Sequence, residues 1–347
     1  MSETGRRPPT MWDIARASGV SQSTVSRILT GGRIPVPIKP ATRDRVLQVA
    51  RELHYRPNPL ARGLRGAPTM LLGVIVREIT DPFFAAAIDA ITAEANARGY
   101  NVMLGHAHGR ADEAIALRAV LETRHCDAIL FVGDLSDEPR LLADLRESDV
   151  RIVGAWQGSA LPGVTTVNVD DRAGIRMVVD HLAGLGHRRI AFIGGRFDTG
   201  IALGDIRQRR AAFLERLDEL GLPPRDELLR EATNTFRSGS AALADLMAQP
   251  EPPTAVVAST DVLAVGALHG AHSLGLAVPR DLSITGFDDL PIAEFAVPPL
   301  TSVHQPIPEM TVVAVREALE QPADPTAQEF VLPPRLVVRE STGPAPG

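Results

Sequence analysis

Residues 10–29 read TMWDIARASGVSQSTVSRIL, and no other stretch constrains the fold as tightly. Ile14, Ala15 and Ala17 mark the apolar contacts of a first short helix. Thr10 can cap that helix, with Asp13 three residues on as a variant of the capping box. Gly19 supplies a sharp turn and Val20 plugs the angle behind it. Ser21 can cap a second helix, Gln22 to Leu29, whose Val25, Ile28 and Leu29 face inward. Gln22, Ser23, Ser26 and Arg27 are left facing out. A short helix held at a fixed angle, with a polar and cationic outer face, fits the major groove of DNA.

Charge is distributed to match. Residues 1–66 carry 12 Lys and Arg against 4 Asp and Glu, a net +8. The remaining 281 residues carry 24 against 38, a net −14, so the overall −6 conceals a basic head on an acidic body. A positive head attracts phosphates, while an acidic body keeps the molecule soluble and deters non-specific sticking.

At 347 residues the chain is long enough for two or three domains with ample core. One cysteine, Cys126, rules out an internal disulfide framework and a cysteine-based zinc site. It opens the apolar run CDAILFV and reads as a buried small hydrophobe. No apolar leader heads the sequence and no run approaches the roughly 20 apolar residues of a membrane span. The expected location is the cytoplasm.

After a Pro/Gly loop at 30–41, Thr42 is expected to cap a third helix from Arg43 to Leu53, with Val46, Val49 and Ala50 inward. Asn58-Pro59 opens a two-turn helix to Arg65, ended by Gly66 and weakened by Gly63. So short a helix is marginal alone and needs something to hold it. From Leu71 the pattern becomes apolar strands separated by helices of 10–15 residues, as in LLGVIV, AILFVG, RIVGAW, TTVNV, RIAFIGG, TAVVAS and LSITGF. That alternation predicts doubly wound parallel sheets. Some 270 residues of it exceed one sheet and imply two α/β lobes, with a ligand cleft beyond the C-terminal ends of the strands.

Several segments now resemble one family. WDIARASGVSQSTVSRIL, YRPNPLARGLR, GVIVREITDPFF, DHLAGLGHRRIAFIGG, ASTDVLAVGAL, GLAVPRDLSITGFDD, PPLTSVHQP and LPPRLVVREST occur in an order and spacing similar to the lactose-repressor (LacI/GalR) family of bacterial transcription regulators, from about Thr10 to Thr342. The resemblance implies a small all-α helix-turn-helix head and hinge helix. Behind them it implies an α/β core of two doubly wound parallel-sheet lobes, like periplasmic binding proteins. It also implies a homodimer, a palindromic double-stranded operator, and a small effector, sugar-like or another metabolite, that switches DNA affinity, with repression favoured over activation.

By resemblance the major-groove positions fall on Gln22, Ser23 and Arg27, where Gln suits adenine and Arg suits guanine. Thr10, Ser21, Thr24, Ser26, Arg62 and Arg65 are expected at the DNA backbone. Asn58, Ala61 and Leu64 match the hinge positions that enter the minor groove, with Leu64 as the wedge between base pairs. Two departures stand out: the loop at 31–40 is longer and richer in proline than usual, and Gly63 replaces a helix former.

The same resemblance implies that the effector candidates are Asp81, Phe83, Phe84, Trp156, Arg209, Asp261 and Asp288. Carboxylates accept hydrogen bonds from hydroxyls or amines, Arg holds an acid or a hydroxyl pair, and an aromatic face stacks on a ring. Helix capping competes with this role for Asp81 and Asp261, and core packing for one of the two phenylalanines. Asn234 and Phe236 compete for a further position, and the long segment 196–206 leaves the placement of Arg209 open.

The expected map is a disordered 1–9, the helix-turn-helix domain at 10–57, the hinge at 58–68 and the core at 69–341. Within the core, one lobe is expected at about 69–165 and 300–328 and the other at about 166–299 and 329–341. A disordered tail covers 342–347. No phosphate loop, strand-linked GxGxxG, GxSxG or HExxH occurs, so neither an enzyme, a cofactor nor a metal is expected. His106 and His108, with Asp112 nearby, read as a solvated loop rather than a metal site.

Overall fold

The computed structural model describes residues 9–30, 38–55, 68–108, 110–123, 126–134, 150–196, 204–222, 224–320 and 326–347. The chain divides into two compact units, Met1–Thr69 and Met70–Gly347.

In the first unit, α1 spans Met11–Ser18, α2 Gln22–Thr30 and α3 Pro40–Glu52. Ile14, Val25 and Val46 are wholly buried where the three helices meet, joined by Ala15, Ile28 and Ala50. Ala17 is exposed, contrary to its expected inward role, and Ser18 takes the buried place. At 100° per residue Ser18, four on from Ile14, shares its face, whereas Ala17 lies off it. The third helix starts at Pro40 rather than Arg43, since proline at the first helical position gives up only an N–H that would be unpaired anyway.

The second unit opens with β1 (Leu71–Val76), α4 (Pro82–Ala97), β2 (Asn101–His106), α5 (Ala111–Thr123) and β3 (Ala128–Val132). It continues with β4 (Arg151–Ala155), β5 (Thr165–Val169), α6 (Asp171–Gly184), β6 (Ile190–Arg196), α7 (Gly204–Glu219) and β7 (Leu229–Thr233). Then come α8 (Phe236–Met247), β8 (Ala255–Ala258), α9 (Asp261–Ser273), β9 (Ser283–Asp288) and α10 (Pro291–Phe295). The last elements are β10 (Thr301–His304), α11 (Ile307–Leu319), β11 (Glu329–Leu332) and β12 (Arg335–Val337).

The strands form two sheets, ordered β11-β5-β4-β3-β1-β2 and β12-β10-β9-β8-β6-β7. All pairs are parallel except β10 with β12. Helices cover both faces of each sheet, which is why strands such as AILFV are buried at every position. On the first sheet, Phe84, Ala87 and Ile91 of α4 meet Met310 and Val315 of α11, and Leu121 of α5 packs on Ile75 and Phe131 across the sheet. On the second, α8 and α9 cover one face and α6 and α7 the other.

Two expectations are corrected. The lobe boundaries fall one strand away from their expected places: β5 and β11 join the first sheet, and β10 joins the second. The chain therefore crosses between lobes after Val169, after His304 and between Leu332 and Arg335. Uniformly apolar strands look alike in sequence, so periodicity cannot say which sheet receives them. The tail is also built in rather than disordered. Thr342 Oγ1 is 2.9 Å from His181 Nε2, Gly343 N donates to Ser283 Oγ at 3.1 Å, and Ala345 N donates to Leu185 O at 2.9 Å. His187, wholly buried, ties this corner together through Thr254, Ser283 and the Gly343 carbonyl.

Candidate functional site

The head presents its candidate residues from α2. Gly19 sits at φ 63°, ψ 36°, a left-handed conformation that glycine adopts without steric cost, and so folds α2 back on α1. Thr10 donates through its backbone N–H (2.8 Å) and its hydroxyl (2.7 Å) to Asp13 Oδ2, closing the start of α1. Ser21 Oγ accepts the Thr24 N–H at 3.2 Å and lies 2.9 Å and 2.8 Å from the Ser23 and Thr24 hydroxyls, so it caps α2. Ser23 and Arg27 are exposed, turned away from Val25 and Ile28, and Gln22 and Ser26 are half-buried beside them. The hinge candidates Asn58, Ala61, Arg62, Leu64 and Arg65 lie outside the described residues, as do residues 1–8. One exposed aromatic was not anticipated: Trp12 on α1 is 64% exposed.

Between the lobes of the second unit lies a cleft at the C-terminal ends of both sheets. Six of the seven effector candidates line it: Asp81, Phe83, Phe84, Trp156, Arg209 and Asp288. Asp81 precedes α4 and accepts the Phe83 N–H at 2.9 Å, so it caps the helix and faces the cleft together. Its second oxygen accepts from Asn234 Nδ2 of the other lobe at 2.8 Å. This resolves the competition between Asn234, which lines the cleft, and Phe236, whose ring is 44% exposed and outside the lining. Trp156 follows β4 at φ 56°, a strained value for a bulky residue, with its ring edge-to-face on Phe83 at 5.7 Å.

Arg209 reaches the cleft from α7 and is almost wholly buried. Nε donates to Asp171 Oδ1 at 2.7 Å, Nη1 donates to the Ser259 carbonyl at 2.7 Å, and Asp288 Oδ1 lies 3.7 Å away. The guanidinium stacks 3.6 Å over the Phe287 ring. Burial pushes Asp171 up to about 6 against the pull of Arg209, raises Asp288 well above the ordinary carboxylate range, and raises Asp81.

Asp261 departs from its expected role. It is absent from the cleft wall, and the side-chain cap of α9 is made by Thr260, which does line the cleft. The Asp261 carboxylate turns inward, accepting the Leu290 N–H at 2.7 Å and the Ser302 hydroxyl at 2.5 Å. Asp288 and Asp289 follow β9 at φ 118° and 55°, and Asp261 fastens the turn behind them. Burial pushes its own carboxyl up to about 7.

Other cleft residues escaped the sequence reading. Arg77, at the end of β1, sets its Nη1 3.5 Å from Asp205 Oδ1 of α7 across the lobes. Gln157 donates from Nε2 to the carbonyls of Phe131, Gly133 and Ala155, and its N–H donates to Asn168 Oδ1, which leaves the Asn168 amide nitrogen for the cleft. Trp156 Nε1, Asn168 Nδ2 and Gln305 Oε1 are buried with no hydrogen-bond partner among the described residues. His106 and His108 stack with ring centroids 3.8 Å apart, His108 pairing with Glu113. The described residues hold no cluster suited to a metal ion, and among them no helix is long and apolar enough to cross a membrane.

A helix-turn-helix head and a two-lobe core with a polar, aromatic-walled cleft define the class of DNA-binding regulators that carry a small-molecule-binding core. Comparison with known proteins agrees. Residues 10–58 match the model of bacterial regulatory proteins of the lacI family, and residues 179–342 match a periplasmic binding protein-like domain. Catabolite control protein A of Priestia megaterium is 33% identical over 96% of this chain and 99% of its own length. The HTH-type transcriptional repressor PurR of Erwinia tasmaniensis is 31% identical over 97% and 98%. Among solved structures, the complex of the transcriptional regulator CelR with cellobiose is 29% identical with a TM-score of 0.69, covering 96% of this chain and 99% of that one. The lac repressor dimer bound to operator and the anti-inducer ONPF, at 24% identity, shares the fold with a TM-score of 0.84 over 97% and 100% of the two chains. The chain belongs to the LacI family of bacterial transcriptional regulators.

Proposed function

We propose that this regulator binds a two-fold-symmetric operator as a homodimer in the bacterial cytoplasm, and that a small molecule in the inter-lobe cleft sets its affinity for DNA. Repression is the favoured sign. The observation that carries the reading is that the cleft draws its polar groups from both lobes, with Asp81 of one bonded to Asn234 of the other and Arg77 beside Asp205. A ligand touching both lobes stabilises one angle between them, and an equilibrium shifts only as far as the ligand discriminates between its states. The coupling is reciprocal, so operator DNA changes effector affinity by the same factor.

Gln22, Ser23 and Arg27 are assigned to base edges, and Thr10, Ser21, Thr24 and Ser26 to the backbone beside them. Asn58, Ala61 and Leu64 are assigned to the minor groove at the operator centre, with Arg62 and Arg65 on flanking phosphates. An apolar surface on the second lobe, where Phe295 is 79% and Val297 91% exposed, supports self-association. The reading assigns the cleft to binding, without a catalytic step.

Selection from random duplex DNA by the full-length protein tests this. Enrichment of a symmetric site, relaxed at one position in each half-site with Arg27→Ala and blurred at its centre with Leu64→Ala, is the expected result. Absence of any symmetric site, with and without added cell metabolites, overturns it.

A further inference from the structure

Acidic groups outnumber basic ones around the cleft. Among the described residues, its wall carries four acidic side chains, Asp81, Asp171, Asp205 and Asp288, against the guanidiniums of Arg77 and Arg209. Both cations are engaged. Arg209 is held between Asp171 and Asp288 and stacked on Phe287, and Arg77 faces Asp205 with its guanidinium 4.8 Å over the Phe84 ring. The carboxylates act on one another across the space: Asp205 raises both Asp81 and Asp171, and Asp81 raises Asp288, on top of the larger effect of burial.

Helix ends reinforce the imbalance. Parallel α/β lobes point helix N-termini at such a cleft, and these partial positive charges ordinarily make an anion site. Here α4 is capped by Asp81 and has proline at its first position, α6 opens with Asp171, and α7 carries Asp205 in its first turn. The protein's own acids therefore occupy the places an anionic ligand would take. Among the neutral groups of the wall, Trp156 Nε1 and Asn168 Nδ2 as donors and Gln305 Oε1 as acceptor have no hydrogen-bond partner among the described residues, on side chains no more than 5% exposed.

We infer that the cleft selects its ligand by charge, taking an uncharged or cationic polar molecule and turning away phosphate esters and carboxylic acids. This rests on the effector reading above and narrows it. The ligand donates to Asp81, Asp288 and Gln305, accepts from Trp156 and Asn168, and lays an apolar face on Phe83 and Trp156. Asp205 and Asp81 act as specificity determinants, since each adds negative charge at a helix end that would otherwise welcome an anion.

Two measurements on the full-length protein test the inference. With Trp12→Phe, Trp156 is the single tryptophan, and its quenching by cesium and iodide at fixed ionic strength reads the sign of the cleft. Cesium is expected to quench several-fold better than iodide, with the gap narrowing in Asp205→Asn and, separately, in Asp81→Asn. Equal quenching by the two ions, or an iodide preference, overturns the inference. The second measurement is thermal stabilisation and operator release by matched pairs, neutral disaccharides and nucleosides against their monophosphate esters. Each phosphate ester is expected to bind roughly a hundredfold more weakly than its parent, the size that like-charge repulsion at a desolvated site can reach. A phosphate ester that acts where its parent does not overturns the inference and leaves the effector reading standing. If no member of either charge acts, the effector reading fails and this inference with it, whatever the ions show at Trp156.

Discussion

Arg209 and Asp171 are joined at 2.7 Å with both side chains 4% exposed, and neither is adjacent to the other in sequence or on one helix. The pair fixes where the guanidinium can point, leaving Nη1 for the Ser259 carbonyl and the cleft. Breaking a buried pair by removing one partner strands the other charge. Asp171→Asn should lower core stability by about 3 kcal/mol, the low end for such a change because Asp288 and Ser259 still engage the guanidinium. Urea unfolding would measure it, and a loss under about 0.5 kcal/mol would mean that Asp288 alone suffices.

Asp261 gives a pH signature. Its folded carboxyl is pushed up to about 7, against about 3.9 in an unfolded chain, so the folded state holds this proton more tightly. Its contribution to stability is complete below about pH 4 and is lost as pH rises through about 7. Glu219 and Asp281, held down near 2 by their arginine partners, work in the opposite direction, but only below about pH 4.5. Between pH 5 and 8 the wild type should therefore lose stability relative to Asp261→Asn, by something of order 2–4 kcal/mol. Parallel slopes for the two proteins would rule out titration of this carboxyl in that window.

Asp261 also shows what sequence could and could not reveal. Strand and helix alternation was legible because central strands such as LLGVIV, AILFV and AVVA are apolar throughout and helices such as α4, α6, α8 and α9 begin at a capping side chain. Six of the seven cleft candidates were legible through the resemblance to the family, which carried them over position by position, Arg209 on its helix included. Which way a side chain turns after a strand was not: Thr260 caps the helix, and that frees Asp261 to face Ser302 and Leu290 instead. Asp171 was hidden for a similar reason. In the pair Asp170-Asp171 either can cap α6; Asp170 does, accepting the Ala173 N–H at 2.8 Å, and Asp171 is released to hold Arg209. Arg77 and Asp205 meet only because the lobes face each other, a contact between positions 128 residues apart that no local pattern encodes.

Arg27 is an exposed residue on the outer face of α2, and its removal should leave the head folded. Arg27→Ala is expected to weaken operator binding by about 1–3 kcal/mol and to relax base preference at one position in each half-site. Binding to non-specific duplex should change far less. A uniform loss on all sequences, with a reduced salt slope, would reassign Arg27 to a phosphate.

The exposed Phe295 and Val297 lead to a prediction about assembly. A charge on a patch buried between subunits costs several kcal/mol, whereas on a free surface it costs almost nothing. Val297→Asp should therefore convert a dimer to monomers in sedimentation at micromolar concentration and abolish binding to a full operator, while leaving the thermal unfolding of the core near wild type at matched monomer concentration. An unchanged dimer would move the interface elsewhere.

Gly158 closes the argument about the lobes. It follows Trp156 in the first lobe at φ 70°, and a Cβ placed on it would stand 2.1 Å from the backbone nitrogen of Asp205, at the head of α7 in the second lobe. Main chain meets main chain there, so no side chain can move aside, and the left-handed backbone adds about 1–2 kcal/mol of its own against any other residue. Gly158→Ala should push the lobes apart at this end of the cleft and pull Arg77 away from Asp205. Because closure is what a cleft ligand stabilises, the variant should still fold and still bind operator. Its response to ligand should fall at least tenfold, which corresponds to about 1.4 kcal/mol of closure energy. Operator titrations across a ligand series would read this directly. A wild-type response would show that the lobes reach their ligand-bound arrangement without the contact between Gly158 and Asp205.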